Sequence, residues 1–480
     1  MNQAQFRSFC TTASPILLDG ATGTHLQQAG MPAGACPEQW VLDHADVLAN
    51  LQKSYLQAGS SILYTFTFGA NRIKLAGHGI AADQCGDMNR RLAMISRDVC
   101  DRWLADPARP TARQRVAASQ TVLIAGDLAP TGRFLAPAGD LSFESLIDIY
   151  RQQVEGLLQA GVDLFIIETM FDLAQVRAAV LAIQSVCDLP IMTSLTFEEN
   201  GRTLAGNPPL ACLLALASMG VAAFGLNCSF GPDKLADLLT PLLQVSPIPL
   251  LVKPNAGMPH LVEGKTVFPM DPEAFSAAMK PMITGGISLL GGCCGTSPAH
   301  IAAMTAIVGS ADQPALAHGA NDRMTESADQ PALAQAASDR TAGSDWTTMI
   351  GSSRQTWTVG AFDHVPDLLC RQPEDLENLP DLLDDQSDAA VIDLSECPGT
   401  VPVDQLQNAI NQVQLLTAVP LIFKDSDWPR LKNLLQSYHG RAGVLVSGEG
   451  NHRDEANLMK ALSPYVPVLL FAQESSSFSS

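Results

Sequence analysis

One local pattern occurs eight times in the first 310 residues: a short apolar run bounded by turn residues, followed by a segment whose apolar residues recur at helical spacing. The runs are Ile16–Asp19, Ser61–Phe66, Val122–Asp127, Leu164–Glu168, Ile191–Thr196, Ala223–Cys228, Leu250–Asn255 and Ile287–Cys293. Between them lie amphipathic segments such as Leu141–Ala160 and Leu173–Val186. Strands that alternate with helices must run parallel, because each helix carries the chain back to the starting edge of the sheet. Eight such units predict an α/β fold of the (β/α)8 TIM barrel type, whose chemistry sits at the carboxyl ends of the strands.

Polar residues gather at those predicted ends: Asp19, Thr65, Asp127, Glu168, Asn227, Cys228, Asn255, Cys293 and Cys294. Cys293 and Cys294 are adjacent within Gly291-Gly292-Cys293-Cys294-Gly295-Thr296, and Cys228 closes the sixth run. Neighbouring residues on a regular strand point to opposite faces, so both thiols reach one ion only where the backbone leaves the strand, as the flanking glycines permit. Three thiolates suit zinc, with a fourth position left for water or substrate. Two buried structural cysteines or a vicinal disulfide are the competing readings of the same spacing. Asn227 and Asn255 either line a substrate site or satisfy backbone groups where strands end.

With 480 residues and 46% hydrophobic content, the chain has material for more than one core. A net charge of −20 argues against nucleic-acid or anionic-membrane partners, which require concentrated Lys and Arg. The amino-terminal residues 1–14 are short and polar, and no apolar stretch reaches the roughly 18 residues of a membrane helix, so a cytoplasmic location is expected. In a reducing compartment the 11 scattered cysteines read as free thiols and ligands rather than a disulfide framework.

The expected domains are a barrel over 1–308, a flexible linker over 309–346 and a smaller α/β region over 347–475. The linker contains a direct duplication, residues 310–317 recurring as 327–334, in a composition that buries little. The last region shows strand-like Ala390–Leu394, Val419–Phe423, Gly443–Val446 and Val466–Phe471, with helical patterns over Val403–Leu416 and Trp428–Tyr438. That is half of an α/β barrel, and exposed sheet edges predict that it packs against something or forms a homo-oligomer.

Several ordered motifs resemble the homocysteine S-methyltransferase family over residues 10–308. They are Leu17-Leu18-Asp19-Gly20-Ala21-Thr22-Gly23-Thr24, Tyr64 through Asn71, Gly161-Val162-Asp163 with Ile167-Glu168-Thr169, Asn200 through Thr203, Gly225 through Cys228, Lys253 through Gly257, and the vicinal-cysteine motif. The resemblance implies a zinc-dependent enzyme that methylates homocysteine to methionine, with Cys228, Cys293 and Cys294 as catalytic metal ligands. It also implies that Asp19 and Glu168 bind the substrate amino group, with Asn227 and Asn255 lining the site.

Family members differ in methyl donor. A quaternary or sulfonium donor needs a cage of aromatic faces, and the positions that carry such rings in the betaine enzymes correspond here to Gly69 and about Ala35 to Cys36. Phe68-Gly69-Ala70-Asn71 instead resembles the homocysteine half of cobalamin-dependent methionine synthase. Ala389 through Leu394, Pro420 through Ser426 and Leu434 through Ala442 look like part of the pterin-binding domain of those synthases, although Ser395 and Ser447 depart from its asparagines. No Asp-x-His-x-x-Gly motif occurs, so methylcobalamin would be supplied by a separate corrinoid protein. The alternatives are S-methylmethionine or another small donor, and a zinc-binding or redox-sensing protein without enzymatic activity.

Overall fold

Parallel pairing runs unbroken around the first region of the computed structural model, which describes residues 1–12, 15–109, 121–136, 138–262, 265–310, 349–351, 356–358, 365–383, 387–440, 442–447 and 468–473. The eight strands are β1 (Ile16–Leu17), β2 (Ile62–Tyr64), β3 (Leu123–Leu128), β4 (Leu164–Met170), β5 (Ile191–Leu195), β6 (Ala223–Asn227), β7 (Leu250–Lys253) and β8 (Leu289–Leu290). Each pairs in parallel with the next in sequence, and β8 pairs with β1. A parallel bridge between Leu18 and Ile62 joins β1 to β2 and closes the ring. All eight predicted runs are strands, but β1 and β8 are only two residues long because the chain turns toward the mouth at once.

Alternate residues point to the barrel axis. Ile16, Leu18, Ile62, Tyr64, Leu123, Ala125, Leu164, Ile166, Met192, Ala223, Leu251 and Leu289 form one interior core. Each fully buried large aliphatic side chain contributes roughly 1.5–3 kcal/mol. The amino-terminal helix Gln3–Thr12 adds Phe6 and Cys10 to this cluster, and the Arg7 guanidinium donates to the Val221 carbonyl at 2.6 Å. The short segment that reads as merely polar in sequence is therefore a plug over the amino end of the barrel.

The crossover helices include Cys85–Ala105, Phe143–Gln159, Leu173–Gln184, Pro232–Leu243, Pro272–Thr284 and Pro298–Ser310. Their starts follow from local chemistry: Ser142, Asp172 and Asp271 each accept a backbone N–H of the first turn. Residues His260–Val262 and Lys265–Val267 form an antiparallel hairpin that the strand pattern did not predict.

The chain divides into two compact units, Met1–Leu204 with Val221–Ala317, and Ala205–Gly220 with His318–Ser480. The second contains a five-stranded parallel sheet in sequence order: β9 (Asp367–Leu369), β10 (Ala390–Asp393), β11 (Leu421–Lys424), β12 (Ala442–Ser447) and β13 (Val468–Gln473). The four expected strands are present, and β9 adds a fifth that Pro366 and Asp367 disguise in the sequence. Helices Val403–Leu416 and Trp428–Ser437 cover the sheet through Leu406, Ile410, Leu431 and Leu434. The duplicated segment lies outside the described residues beyond Ser310. No helix among the described residues is long and apolar enough to cross a membrane.

Candidate metal centre and acceptor pocket

Strand β6 ends in a reversal. Cys228 and Ser229 have φ of 60° and 58°, the left-handed region that a side chain disfavours by roughly 1–2 kcal/mol per residue. The Phe230 N–H donates to the Cys228 carbonyl at 2.7 Å and the Cys228 N–H to the Lys253 carbonyl at 3.0 Å, which pins the reversal to β7. Only one further non-glycine residue has a positive φ among the described residues: Thr169 at 58°, beside Glu168. Among the described residues, the non-glycine positive-φ positions thus all lie at the mouth of the barrel.

The vicinal cysteines follow β8 in a turn of their own. The Cys293 N–H donates to the Pro254 carbonyl at 2.7 Å, the Ala256 N–H to the Cys294 carbonyl at 2.9 Å, and the Thr296 hydroxyl to the Cys293 carbonyl at 2.7 Å. Gly291 makes the approach possible: a Cβ there would lie 2.9 Å from the Asp19 carbonyl, Leu18 and Lys253. With the backbone out of the strand, both vicinal thiols turn toward the same point, and the Sγ atoms of Cys228, Cys293 and Cys294 all lie within 4.8 Å of one another.

Zinc held at about 2.3 Å by each of three tetrahedral thiolates needs sulfurs about 3.8 Å apart, which this spacing accommodates. The protonation of the trio fits the same use. Hydrogen bonds from the Cys293 and Cys294 thiols hold Cys228 down at about 3, while Cys294 is pushed up to about 12 and Cys293 well above its ordinary value, chiefly by their bonds to Cys228. Cys228 thus favours the thiolate form beside two thiols, and a divalent cation held by all three sulfurs would displace the remaining two protons. Neither Cys293 nor Cys294 is part of a disulfide, so the vicinal pair is present as thiols.

Beside the sulfurs lies a cluster of buried polar side chains. The Lys253 ammonium donates to Asp19 Oδ1 at 2.8 Å with both side chains only 4% exposed, and it lies 3.6 Å from the centroid of the Tyr64 ring. Burial works against the Lys253 charge, but Asp19 and Glu168 outweigh it and raise its pKa. The Tyr64 N–H donates to Asp19 Oδ2 at 2.8 Å, so each Asp19 carboxylate oxygen already has a partner within the chain.

Glu168 differs. Its Oε2 has no hydrogen-bond partner among the described residues, and burial pushes its carboxyl up to about 7 against the pull of Lys253. Asn227 is fully engaged: its Oδ1 accepts from the Thr169 N–H at 2.9 Å and the Ser194 hydroxyl at 2.8 Å, and its Nδ2 donates to the Thr169 hydroxyl at 2.7 Å and faces Cys293 Sγ at 4.0 Å. It ties down the strained Thr169. Asn255 directs a hydrogen bond to Cys228, leaving its buried Oδ1 without a partner.

The predicted residues Asp19, Glu168, Asn227, Asn255, Cys228, Cys293 and Cys294 thus converge on one end of the barrel. Lys253 and Tyr64 belong to the same cluster and were not assigned to it from sequence; Asp127, placed at a strand end from sequence, was given no role there. A lysine closing the apolar run Leu250–Lys253 was the available signal for one of them. His300 is a brace, accepting from Ser297 and bridging to the Met270 carbonyl at 3.1 Å. Trp40 stacks on His44 at 4.2 Å between ring centroids and packs with the Leu26 and Val41 cluster.

Comparison with known proteins agrees with this geometry. Residues 16–308 match the sequence model of the homocysteine S-methyltransferase family. The chain is 33% identical over 308 residues to a methionine synthase of Mycobacterium tuberculosis and 32% identical over 322 residues to that of Mycobacterium leprae. These alignments take in 62% and 64% of the chain but only 25% and 26% of the relatives, so the chain spans about a quarter of their length. A solved structure of the homocysteine methyltransferase MmuM from Escherichia coli, in its metallated form, superposes with a TM-score of 0.53 and 25% identity, covering 63% of this chain and 99% of that one. With the matched segment spanning the whole barrel and more than half of the sequence, the chain belongs to the homocysteine S-methyltransferase family.

Proposed function

We propose that this chain transfers a methyl group to the sulfur of homocysteine, forming methionine, with zinc held by Cys228, Cys293 and Cys294. The observation that carries the reading is the convergence of three sulfurs within 4.8 Å beside a carboxyl group, Glu168, whose Oε2 lacks a partner. A zinc ion there supplies a Lewis acid that lets the acceptor sulfur react as a thiolate at neutral pH. The chain's own residues do the rest. Asn255 and Asn227 orient Cys228 and Cys293. Glu168 takes the acceptor ammonium, while Asp19, neutralised by Lys253, fixes β1 against β2 and β7 at the pocket wall. Methyl transfer is an in-line displacement on the donor carbon, so the donor must approach from the open mouth opposite the pocket floor.

The donor we favour is a methylated corrinoid carried by another protein. The matched relatives are methionine synthases that extend far beyond the aligned quarter, and the residues at Gly69 and Cys36 build no aromatic cage. A small soluble donor is the second reading. It is favoured by the E. coli homocysteine methyltransferase, 99% of which is covered by this chain.

The test is to offer zinc-loaded protein L-homocysteine with methylcobalamin, methyltetrahydrofolate, betaine or S-methylmethionine and to measure methionine. Methionine from methylcobalamin is expected, and a useful rate from betaine would overturn the donor argument. Cys293→Ser should lose both zinc and activity, whereas retention of stoichiometric zinc would remove Cys293 from the metal site.

A further inference from the structure

Thr296 lies two residues beyond the vicinal cysteines, is buried, and has no part in the chemistry proposed above. Its hydroxyl spends both of its hydrogen-bonding capacities on backbone: it donates to the Cys293 carbonyl at 2.7 Å and accepts from the Ala21 N–H at 3.1 Å. The Thr296 carbonyl in turn accepts from His25 Nε2 at 3.1 Å. Ala21 and His25, 275 and 271 positions away in sequence, thus meet at one threonine. Gly295, with φ of 79°, supplies the left-handed step that turns Thr296 back over Cys293.

Two glycines make room for that hydroxyl. A Cβ on Gly292 would lie 2.4 Å from Thr296 Oγ1, and one on Gly20 would lie 2.9 Å from it and 2.7 Å from the Tyr55 hydroxyl. Tyr55, also buried, donates to the Ala21 carbonyl at 2.6 Å, so both backbone groups of Ala21 are held by side-chain hydroxyls. The other clamps on the vicinal cysteines, the Pro254 carbonyl and the Ala256 N–H, both come from the loop after β7. Because β8 lies between β7 and β1, Thr296 ties the cysteine turn to its opposite neighbour. Without the hydroxyl the Cys293 carbonyl would keep the Thr296 N–H at 3.1 Å, but the buried Ala21 N–H would lose its acceptor and the tie would be lost.

We propose that Thr296 is a positioning residue for the metal centre: its hydroxyl fastens the vicinal-cysteine turn to the loop after β1 and so holds Cys293 Sγ, before the ion binds, at the point it shares with Cys228 and Cys294. This rests on the reading that the three cysteines hold zinc. A turn already in place gives up less conformational freedom when the ion binds, and groups that orient metal ligands from behind are worth roughly 10- to 100-fold in metal affinity.

The test is competition for zinc between the full chain and a chromophoric chelator, with urea unfolding of the metal-free chain measured alongside. Thr296→Val, which keeps the shape and removes the hydroxyl, should bind zinc about 10- to 100-fold more weakly than the parent. Thr296→Ser, which restores the hydroxyl, should bind zinc as the parent does. Tyr55→Phe leaves the cysteine turn untouched and releases the other side of Ala21, so it should weaken zinc binding in the same direction; it carries the test if the valine variant does not fold. Parent-like zinc affinity in either folded variant, even with a lowered urea midpoint, would mark a merely structural role and overturn the assignment. A serine variant as weak as the valine variant would overturn it too. A parent chain that binds no zinc would instead overturn the proposed function itself.

Discussion

Glu168 has a proton that is hard to remove, because burial raises its carboxyl from the ordinary range to about 7. The sign of the consequence differs between folding and binding. The folded chain retains this proton between about pH 4.5 and 7 while the unfolded chain has lost it, so the contribution to stability is present at low pH and fades as pH rises through that window. Binding of an ammonium group requires the ionised form and should therefore strengthen over the same rise. Glu168→Gln, which cannot ionise, should bind homocysteine about 10- to 100-fold more weakly at pH 8. The ratio of variant to parent dissociation constants should shrink toward pH 6. A ratio that is constant with pH would show that Glu168 does not meet the ammonium.

The same scale shows what the sequence could not reveal. Asp19 and Glu168 both end predicted strands, and nothing local distinguishes a carboxylate already paired from one left open. The difference comes from Lys253, 234 positions from Asp19, which reaches it only when β7 and β1 lie either side of β8. The sulfurs were easier to read, since glycines on both sides of Cys293 and Cys294 announce a turn wherever the partner lies.

Strands present these groups because their alternation is strict. Each apolar interior residue predicts that the residue two positions on lies on the same face, so Leu251 leads to Lys253 and Ala223 through Gly225 to Asn227. This is why the positions of the strands were legible while their ends were not: hydrophobic period reports the buried face, but the strand stops where a turn draws its backbone groups away. β9 was missed because three residues next to a proline carry too little pattern.

Gly225 tests the spacing of elements directly. A Cβ at this position would lie 2.0 Å from the Leu251 carbonyl oxygen, a backbone atom that cannot move without disturbing the β6–β7 pairing that positions Cys228. Gly225→Ala should cost about 3 kcal/mol in urea unfolding and lower zinc occupancy in parallel. A change below about 0.5 kcal/mol would mean that the two strands are not so closely apposed.

At the scale of the whole molecule, ring closure makes one site from residues distant in sequence. Cys228 and Cys293 follow β6 and β8, with β7 between them, and Asp19 follows β1 on the far side of β8. A parallel barrel brings all their carboxyl ends to one rim, so metal site and acceptor pocket arise together from the topology. The five-stranded sheet of the second unit has a core of its own in Ile392, Phe423, Leu434 and Val444, and Asp393 at the end of β10 pairs with Lys424 at 2.6 Å.

The central claim is that three cysteine sulfurs share one zinc ion and leave a place for the acceptor's sulfur. X-ray absorption at the zinc edge, recorded on the zinc-loaded chain before and after addition of L-homocysteine, tests it most directly. Three sulfurs and one lighter atom should become four sulfurs, each at about 2.3 Å. A sulfur count below three in the free protein, or one that homocysteine does not change, would contradict the account.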